Sequence, residues 1–168
     1  MDATCGAGQD TLLLARLVGP GGKVWAFDIQ TEALARAMDL LVSEGLDGRV
    51  EFVHSGHEQI AEVIRGTVQA AVFNLGFLPG GDRTIRTEAG NSMAALDQAS
   101  GMLAPGGIIT IAVYTGHSGG SEEGAAIEVW ASALQPDRFN VWRSRQLNRP
   151  ESAPYLVFVE KCTGTALK

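Results

Sequence analysis

Apolar and polar positions follow two different periods along the chain. Short apolar runs, which predict strands, cover residues 23–27, 50–54, 69–74, 108–114, 139–145 and 155–160. Between these runs apolar residues recur at steps of three and four, which predicts helices over about 9–18, 33–41, 57–65, 87–103 and 122–134. Strands that alternate with helices indicate an α/β fold with a doubly wound, mostly parallel sheet. No helix separates the last two strands, so the C-terminal strand should be antiparallel.

A glycine-rich loop stands almost at the start of the chain. Gly6 and Gly8 precede the first helix, and Asp28 closes the next strand, 20 residues after Gly8. Glycines let the backbone approach a nucleotide-like ligand, and a carboxylate at this spacing accepts from ribose hydroxyls. Thr11 stands where a dinucleotide fingerprint requires a third glycine, and Asp2 before the loop suits a cationic or amino-bearing ligand. The pattern therefore favours S-adenosylmethionine over NAD, with a plain strand-to-helix turn as the alternative.

Only residues 1–4 precede this loop, although a loop of this kind is normally fed by a full strand. We therefore expect an N-terminal truncation, with the first, central strand of the sheet missing or reduced to a stub at residues 1–4. Neighbouring strands would then expose unpaired backbone groups, so a chain with an earlier start should be more stable.

Composition describes a single ordinary globular domain over residues 1–168, with 45% hydrophobic and 19% charged residues. No apolar run has the length of a membrane span, and no basic-then-apolar leader is visible, so a cytoplasmic protein without a membrane partner is predicted. Cys5 and Cys162 are the two cysteines, and they lack C-x-x-C spacing. Neither a metal site nor a disulfide framework is predicted.

Net charge narrows the choice of partners. A formal charge of −6 argues against general affinity for nucleic acid, because such binding needs clustered cations. One stretch without acidic residues nevertheless contains Arg138, Arg143, Arg145 and Arg149. This cluster is either an RNA-binding surface or a solvated face.

Five segments together resemble a known family. They are DATCGAGQDT at residues 2–11, AFDIQ at 26–30, NLGFLPGGD at 74–82, YTGHSGGSEE at 114–123 and NRPESAPYL at 148–156. These segments resemble the small bacterial "putative rRNA methylase" family of Rossmann-like, class I S-adenosylmethionine-dependent methyltransferases. Members of that family methylate the aminomethyl group of 5-aminomethyl-2-thiouridine at the tRNA wobble position. The resemblance covers essentially the whole chain.

The resemblance implies a cofactor site at the carboxyl ends of the strands. Gly6 and Gly8 would approach the methionine moiety and the ribose of S-adenosylmethionine. Asp2 would accept from its amino group directly or through water, Asp28 would take the ribose hydroxyls, and His57 with Glu58 would border the adenine. The predicted cofactor-binding residues are Asp2, Thr4, Gly6, Gly8, Asp10, Thr11, Asp28, Ile29, His57, Glu58 and Asn74.

The resemblance also implies the acceptor side. Asn74 to Phe77 take the place of the Asn/Asp-Pro-Pro-aromatic motif of amino-directed methyltransferases. In that motif an oxygen accepts a hydrogen bond from the attacking nitrogen, and the aromatic ring packs against the substrate base. Asp82 and His117 are candidate bases, alongside bulk water. The predicted catalytic residues are Asn74, Phe77, Asp82 and His117. The predicted substrate-binding residues are Leu78, Pro79, Gly80, Gly81, Tyr114, Gly116, Arg143, Arg145, Asn148 and Arg149.

The function implied is N-methylation of RNA, with the anticodon loop of tRNA as partner and a homodimer left open. Two alternatives stand beside it. The first is a methyltransferase for rRNA or a small molecule, which the acidic net charge favours. The second is a nucleotide-binding relic without turnover, which the missing first strand favours.

Overall fold

The computed structural model describes residues 1–77, 80 and 86–164. The strands are β1 Val24–Asp28, β2 Val50–His54, β3 Val68–Leu75, β4 Leu103–Val113, β5 Phe139–Ser144 and β6 Tyr155–Lys161. The helices are α1 Gln9–Leu17, α2 Thr31–Ser43, α3 Ile60–Val63, α4 Ala89–Met102 and α5 Gly120–Ala133. Short 3-10 turns at Asp47–Arg49 and His57–Gln59 precede β2 and α3.

The strands lie in the order β2-β1 and β3-β4-β6-β5, and a short N-terminal segment joins the two groups. Asp2 makes parallel bridges to Ala26 of β1 and to Val72 of β3. β1 pairs with β2 and β3 with β4 in parallel, whereas β6 is antiparallel to both of its neighbours. The predicted doubly wound sheet with an antiparallel C-terminal strand is confirmed.

The central position of the sheet is held by the predicted stub. Asp2 donates its N–H to the Trp25 carbonyl at 2.8 Å and accepts from the Phe27 N–H at 2.9 Å. On the other side Ala3 donates to the Val72 carbonyl at 2.9 Å. Residues 1–3 therefore continue the hydrogen-bonded ladder from β1 to β3, and the exposed gap that the sequence led us to expect is filled along these residues.

Two apolar cores cover the two faces of the sheet. On one face α1 and α2 bury residues such as Leu14 and Leu41 against Val24. On the other face the larger core joins α4 and α5 to Phe73 of β3. Strand residues alternate between these cores, since Val24 and Ala26 face one side and Phe27 the other. The β5 edge strand is exposed beyond Phe139.

Strand β4 starts earlier than predicted, and helix α1 leaves two of its leucines exposed. Strand β4 begins at Leu103 rather than near residue 108, because Leu103 already pairs with Val68 and the register shifts before Ile108. Helix α1 buries Thr11 and Leu12 but leaves Leu13 and Leu17 exposed by 54% and 72%. Within the described ranges, no helix is long and apolar enough to span a membrane.

Candidate active site

A cavity opens at the carboxyl edge of the sheet, where the strand order reverses at the N-terminal stub. This is the position at which open α/β sheets bind ligands, because the crossovers diverge to either side. The described residues that line it are Ala3, Thr4, Gly6, Phe27, Asp28, Ile29, Gln30, Ser55, Gly56, His57, Glu58, Asn74, Gly76, Phe77, Arg86, Thr87, Glu88 and Asn91. The structure thus brings eight predicted site residues together at one cavity: Thr4, Gly6, Asp28, Ile29, His57, Glu58, Asn74 and Phe77.

Asp28 ties the glycine loop to the end of β1. One carboxylate oxygen accepts from the Gly6 N–H at 2.8 Å, and the other accepts from the Gln30 N–H at 2.9 Å. Each oxygen has a second lone-pair direction for a ligand hydroxyl. Because Gly6, Asp28 and Gln30 all line the cavity, one side chain both shapes the loop and offers acceptors beside it.

Gly8, predicted to approach the cofactor, lies at the start of α1. It adopts a left-handed φ of 85° as the N-cap of α1. A Cβ at this position would lie 2.7 Å from the Ala37 Cβ of α2. Gly8 therefore permits close packing of the loop on α2, and it lies outside the described lining of the cavity.

Asp2 lies beneath the loop, fully buried. Its oxygens accept from the Thr4 N–H at 3.1 Å and from the Thr11 hydroxyl at 2.6 Å. Neither Asp2 nor Thr11 belongs to the described cavity lining. Asp2, predicted to accept from the cofactor directly or through water, and Thr11 thus bond to each other beneath the loop, and Asp2 also orders the loop backbone at Thr4.

Burial raises the pKa of Asp2 to about 6, against the opposing effect of its two hydrogen bonds. The folded state therefore keeps a proton that the unfolded chain loses near pH 3.8, and stability falls as the pH rises from about 4 to 6. The loss is complete above about pH 6 and amounts to about 3 kcal/mol.

We expect Asp2→Asn to be more stable than the parent at pH 7 and about equally stable near pH 3.5, since the amide cannot ionise. The amide oxygen can still accept from Thr4, and the Thr11 hydroxyl can rotate to accept from the new amino group. Melting temperatures of both proteins between pH 3.5 and 8 test this. A difference that is the same at every pH would contradict the assignment of the titration to Asp2.

His57 lines the cavity and is held by the N-terminal segment. Its Nδ1 lies 3.2 Å from the Ala3 carbonyl, which can only accept, so Nδ1 carries the proton. Burial lowers the pKa of the ring, which is therefore neutral at pH 7. Nε2 is then a buried acceptor without a partner among the described residues.

Asn74 is held in one orientation at the end of β3. Its backbone N–H donates to the Thr4 hydroxyl at 2.7 Å, and its side-chain Nδ2 donates to an Asp10 oxygen at 2.6 Å. Because a carboxylate only accepts, Asp10 fixes which end of the amide faces it. The amide oxygen is left as an acceptor for a ligand. Asp10 and Thr4, predicted as cofactor contacts, thus also position Asn74.

Phe77 and the start of α4 form the opposite wall. Phe77 makes an antiparallel bridge with Arg86, and the Thr87 N–H donates to the Gly76 carbonyl at 2.8 Å. Sequence reasoning missed the lining residues of this segment, which are Arg86, Thr87, Glu88 and Asn91. The available signal was topological, because a helix that follows a loop from a strand's carboxyl end starts at the same edge of the sheet.

His117, a predicted candidate base, lies beside Phe77. Its Nδ1 hydrogen-bonds the Ser118 carbonyl at 3.0 Å, and its ring meets the Phe77 ring edge-on at 6.0 Å. His117 lies outside the described cavity lining, and its Nε2 packs towards Gly76 and Gly120. Of the predicted loop residues, Gly80 lies in an exposed turn. Leu78, Pro79, Gly81 and Asp82 lie outside the described residues.

Two of the predicted RNA-binding residues, Arg143 and Arg145, line a second depression at the same edge of the sheet, between α5 and β6. Arg143 donates to Glu128 at 2.8 Å and Arg145 to Glu151 at 3.3 Å, so both cations are partly neutralised. Arg143 has a pKa raised by its hydrogen bond to Glu128. The remaining predicted substrate contacts at this edge are exposed: Tyr114, Gly116, Asn148 and Arg149.

The first cavity fits a nucleoside cofactor with a cationic group. Asp28 offers carboxylate oxygens, and Gly6 brings backbone close to the ligand. Apolar area for a base comes from Ile29, which is 54% exposed. Three carboxylate residues, Asp28, Glu58 and Glu88, outnumber the single cation Arg86 among the described lining residues.

Known proteins share this fold and these motifs. A chloroplastic tRNA (mnm(5)s(2)U34)-methyltransferase of Arabidopsis thaliana is 38% identical over 171 residues, covering 96% of this chain and 62% of the plant protein. The crystal structure of a putative rRNA-methylase from Clostridium thermocellum superposes with a TM-score of 0.92 at 39% identity, covering 95% of this chain and 86% of that chain. A putative methyltransferase from Streptococcus mutans, in complex with SAH, gives 0.85 at 31% identity with the same two coverages.

The chain therefore spans less than two thirds of the curated plant relative, and most of each bacterial structure. The model of one family, described as "Putative rRNA methylase", matches residues 24–160. This chain therefore belongs to the putative rRNA methylase family.

Proposed function

We propose that this protein transfers a methyl group from S-adenosylmethionine to a nitrogen of RNA, and that the nitrogen is the aminomethyl group of wobble 5-aminomethyl-2-thiouridine in tRNA. One observation carries the proposal. Asn74 is anchored on Asp10 so that its amide oxygen remains as an acceptor, in the same cavity as the Phe77 ring. This pair suits an amine attached to a flat base.

The chain's own residues hold the two reactants. Gly6, Asp28 and Ile29 would hold the cofactor, which supplies an activated methyl group. Asn74 would accept a hydrogen bond from the substrate amine and turn its lone pair towards the cofactor. Because the methyl group is already activated, catalysis rests mainly on this alignment and needs no strong nucleophile.

The charge of the cavity supports a substrate amine. An alkylamine is an ammonium ion in water, and it must lose a proton before it attacks. The excess of carboxylates in the lining, Asp28, Glu58 and Glu88, favours entry of such a cation and of a cationic cofactor. A buried neutral His57 adds no opposing positive charge.

The arginine-bearing depression supports an RNA substrate. Arg145 follows β5, whose carboxyl end lies at the same edge of the sheet as that of β3. Three strand spacings separate β5 from β3, which is roughly 14 Å at about 4.8 Å per spacing. A polynucleotide could place one base in the cavity and neighbouring phosphates on the arginines.

A methyl-transfer assay on tRNA from a strain that lacks the modification tests the proposal. Methylation of the aminomethyl nucleoside, identified by mass spectrometry after digestion, is the expected result. Transfer to rRNA alone would favour the second candidate, which the family description supports. Binding of S-adenosylmethionine without transfer to either RNA would leave the small-molecule alternative, or a relic.

We expect the arginines to act by binding phosphates of the RNA backbone. In Arg143→Ala with Arg145→Ala, the KM for tRNA should rise, because two cations are removed. In a plot of log KM against log salt concentration, the slope should fall by about 0.7 for each phosphate of single-stranded RNA that the variant no longer binds. The measurement is KM at several salt concentrations, from about 50 to 200 mM.

Arg16→Ala is the matched control, because Arg16 is also an exposed arginine paired with a glutamate, Glu44 of the α2 C-cap. This control should keep the parent's salt slope. Equal slopes in all three proteins would place the RNA-binding surface elsewhere.

The proposed subcellular location follows from the proposed substrate. We place the protein in the cytoplasm, where a bacterial tRNA methyltransferase meets its substrate, and we leave a homodimer as a prediction for light scattering. The whole chain, residues 1–168, is proposed to act as a single methyltransferase domain.

A further inference from the structure

A buried carboxylate lies behind the acceptor wall of the cavity. Glu123, in the first turn of α5, is only 2% exposed. Its Oε1 accepts from the Ser92 hydroxyl at 2.5 Å, and its Oε2 accepts from the Thr87 hydroxyl at 2.9 Å. Among the described residues, no cation lies within salt-bridge distance of it.

Stability alone gives little reason for this arrangement. A carboxylate taken out of water loses hydration that two hydroxyl hydrogen bonds only partly replace, and apolar residues of similar volume often serve a core as well. We therefore look for a functional role of Glu123 in its two hydrogen-bond partners. One partner, Ser92, is fully buried inside the protein, whereas the other, Thr87, lines the cavity.

Thr87 connects the carboxylate to the acceptor side of the site. Its hydroxyl is fixed by Glu123, and its N–H donates to the Gly76 carbonyl at 2.8 Å. Gly76 and Phe77 directly follow the end of β3, which carries Asn74. The neighbouring antiparallel bridge between Phe77 and Arg86 joins the same two segments of the chain. The orientation of Thr87 therefore controls the backbone that carries the Phe77 ring.

We propose that Glu123 is a positioning residue that acts through Thr87: by fixing Thr87 it holds the Gly76 carbonyl and the Phe77 ring in place beside the acceptor nitrogen. The inference rests on the proposed function, because it assigns these groups to the acceptor side. Glu123 itself lies outside the described cavity lining and is connected to it by Thr87.

Four substitutions separate positioning from a purely structural role. Glu123→Gln and Thr87→Val each weaken or remove the link, whereas Thr87→Ser keeps the hydroxyl and should restore it. Ser92→Ala is the matched control, because it removes the hydrogen bond to the other oxygen of the same carboxylate, away from the cavity.

The first readout is steady-state kinetics on tRNA with S-adenosylmethionine affinity measured by calorimetry. We expect kcat to fall roughly tenfold to a hundredfold in Glu123→Gln and Thr87→Val, because small misplacements of a reacting group have effects of this size. The Kd for the cofactor should stay within about threefold, and Thr87→Ser and Ser92→Ala should keep kcat within about threefold. If kcat falls equally in Ser92→Ala, or in none of the variants, the positioning role is wrong.

The second readout does not require methyl transfer. Hydrogen exchange of the Thr87 amide reports its bond to the Gly76 carbonyl, and it should become roughly tenfold faster in Glu123→Gln and Thr87→Val but not in Ser92→Ala. If no RNA is methylated by the parent, the proposed function fails and exchange alone decides the inference. Unchanged exchange at Thr87 in the two variants would overturn it.

Discussion

Asn74→Ala is expected to lower kcat by about a hundredfold to a thousandfold, the range measured when one preorganised hydrogen-bonding group is removed from an active site. The substitution deletes the amide oxygen that is left free when Nδ2 donates to Asp10. Cofactor affinity should change little, since Gly6 and Asp28 remain in place. Steady-state kinetics on hypomodified tRNA, with calorimetry of S-adenosylmethionine binding, separate the two effects.

Asn140→Ala provides a matched control for this variant. Asn140 lies on the exposed edge strand β5 and donates its amide to Glu160 at 3.1 Å, so its substitution also removes an amide–carboxylate hydrogen bond. Its kcat should equal that of the parent. An Asn74→Ala protein with the parent's kcat would show that another group orients the amine, and the acceptor assignment would be wrong.

The sheet and its connections were predictable because they depend on local periodicity. Short apolar runs alternate with helical patterns along the whole chain, and helix-free sequence between β5 and β6 correctly predicted their antiparallel pairing. Errors arose where a long-range contact changes a local preference. In α1 the polar Thr11 is buried, where its hydroxyl donates to Asp2, whereas the apolar Leu13 is 54% exposed.

Candidate site residues were predictable by position but not by orientation. The glycine loop, Asp28 and Asn74 follow strands whose carboxyl ends must meet at one edge. Nothing in the local sequence shows that Asp2 points into the protein or that Gly8 packs on Ala37. The direction of a buried side chain depends on partners that folding brings together.

The partners of the charged side chains were also not predictable from the local sequence. The arginine stretch contains no acidic residue, yet Arg143 meets Glu128, which precedes it by 15 residues on α5. In the same way Glu123 and Thr87 are 36 residues apart in the chain and share a hydrogen bond. Such contacts depend on which elements are neighbours in the sheet, so they require the topology and not only the motifs.

Asp28→Ala should weaken S-adenosylmethionine binding by about tenfold to a hundredfold, because a hydrogen bond to a charged group contributes about 1.5 to 3 kcal/mol. The change removes the expected acceptor for the ribose hydroxyls and also the anchors of the Gly6 and Gln30 N–H groups, both of which line the cavity. Calorimetric titration of the variant measures the loss. Asp97→Ala is the control, since the Asp97 carboxylate also accepts a hydrogen bond, from Trp130 at 2.7 Å, on an exposed part of α4 outside the described cavity lining. The control should bind the cofactor as the parent does, and an Asp28→Ala protein with the same Kd as the control would remove Asp28 from the cofactor site.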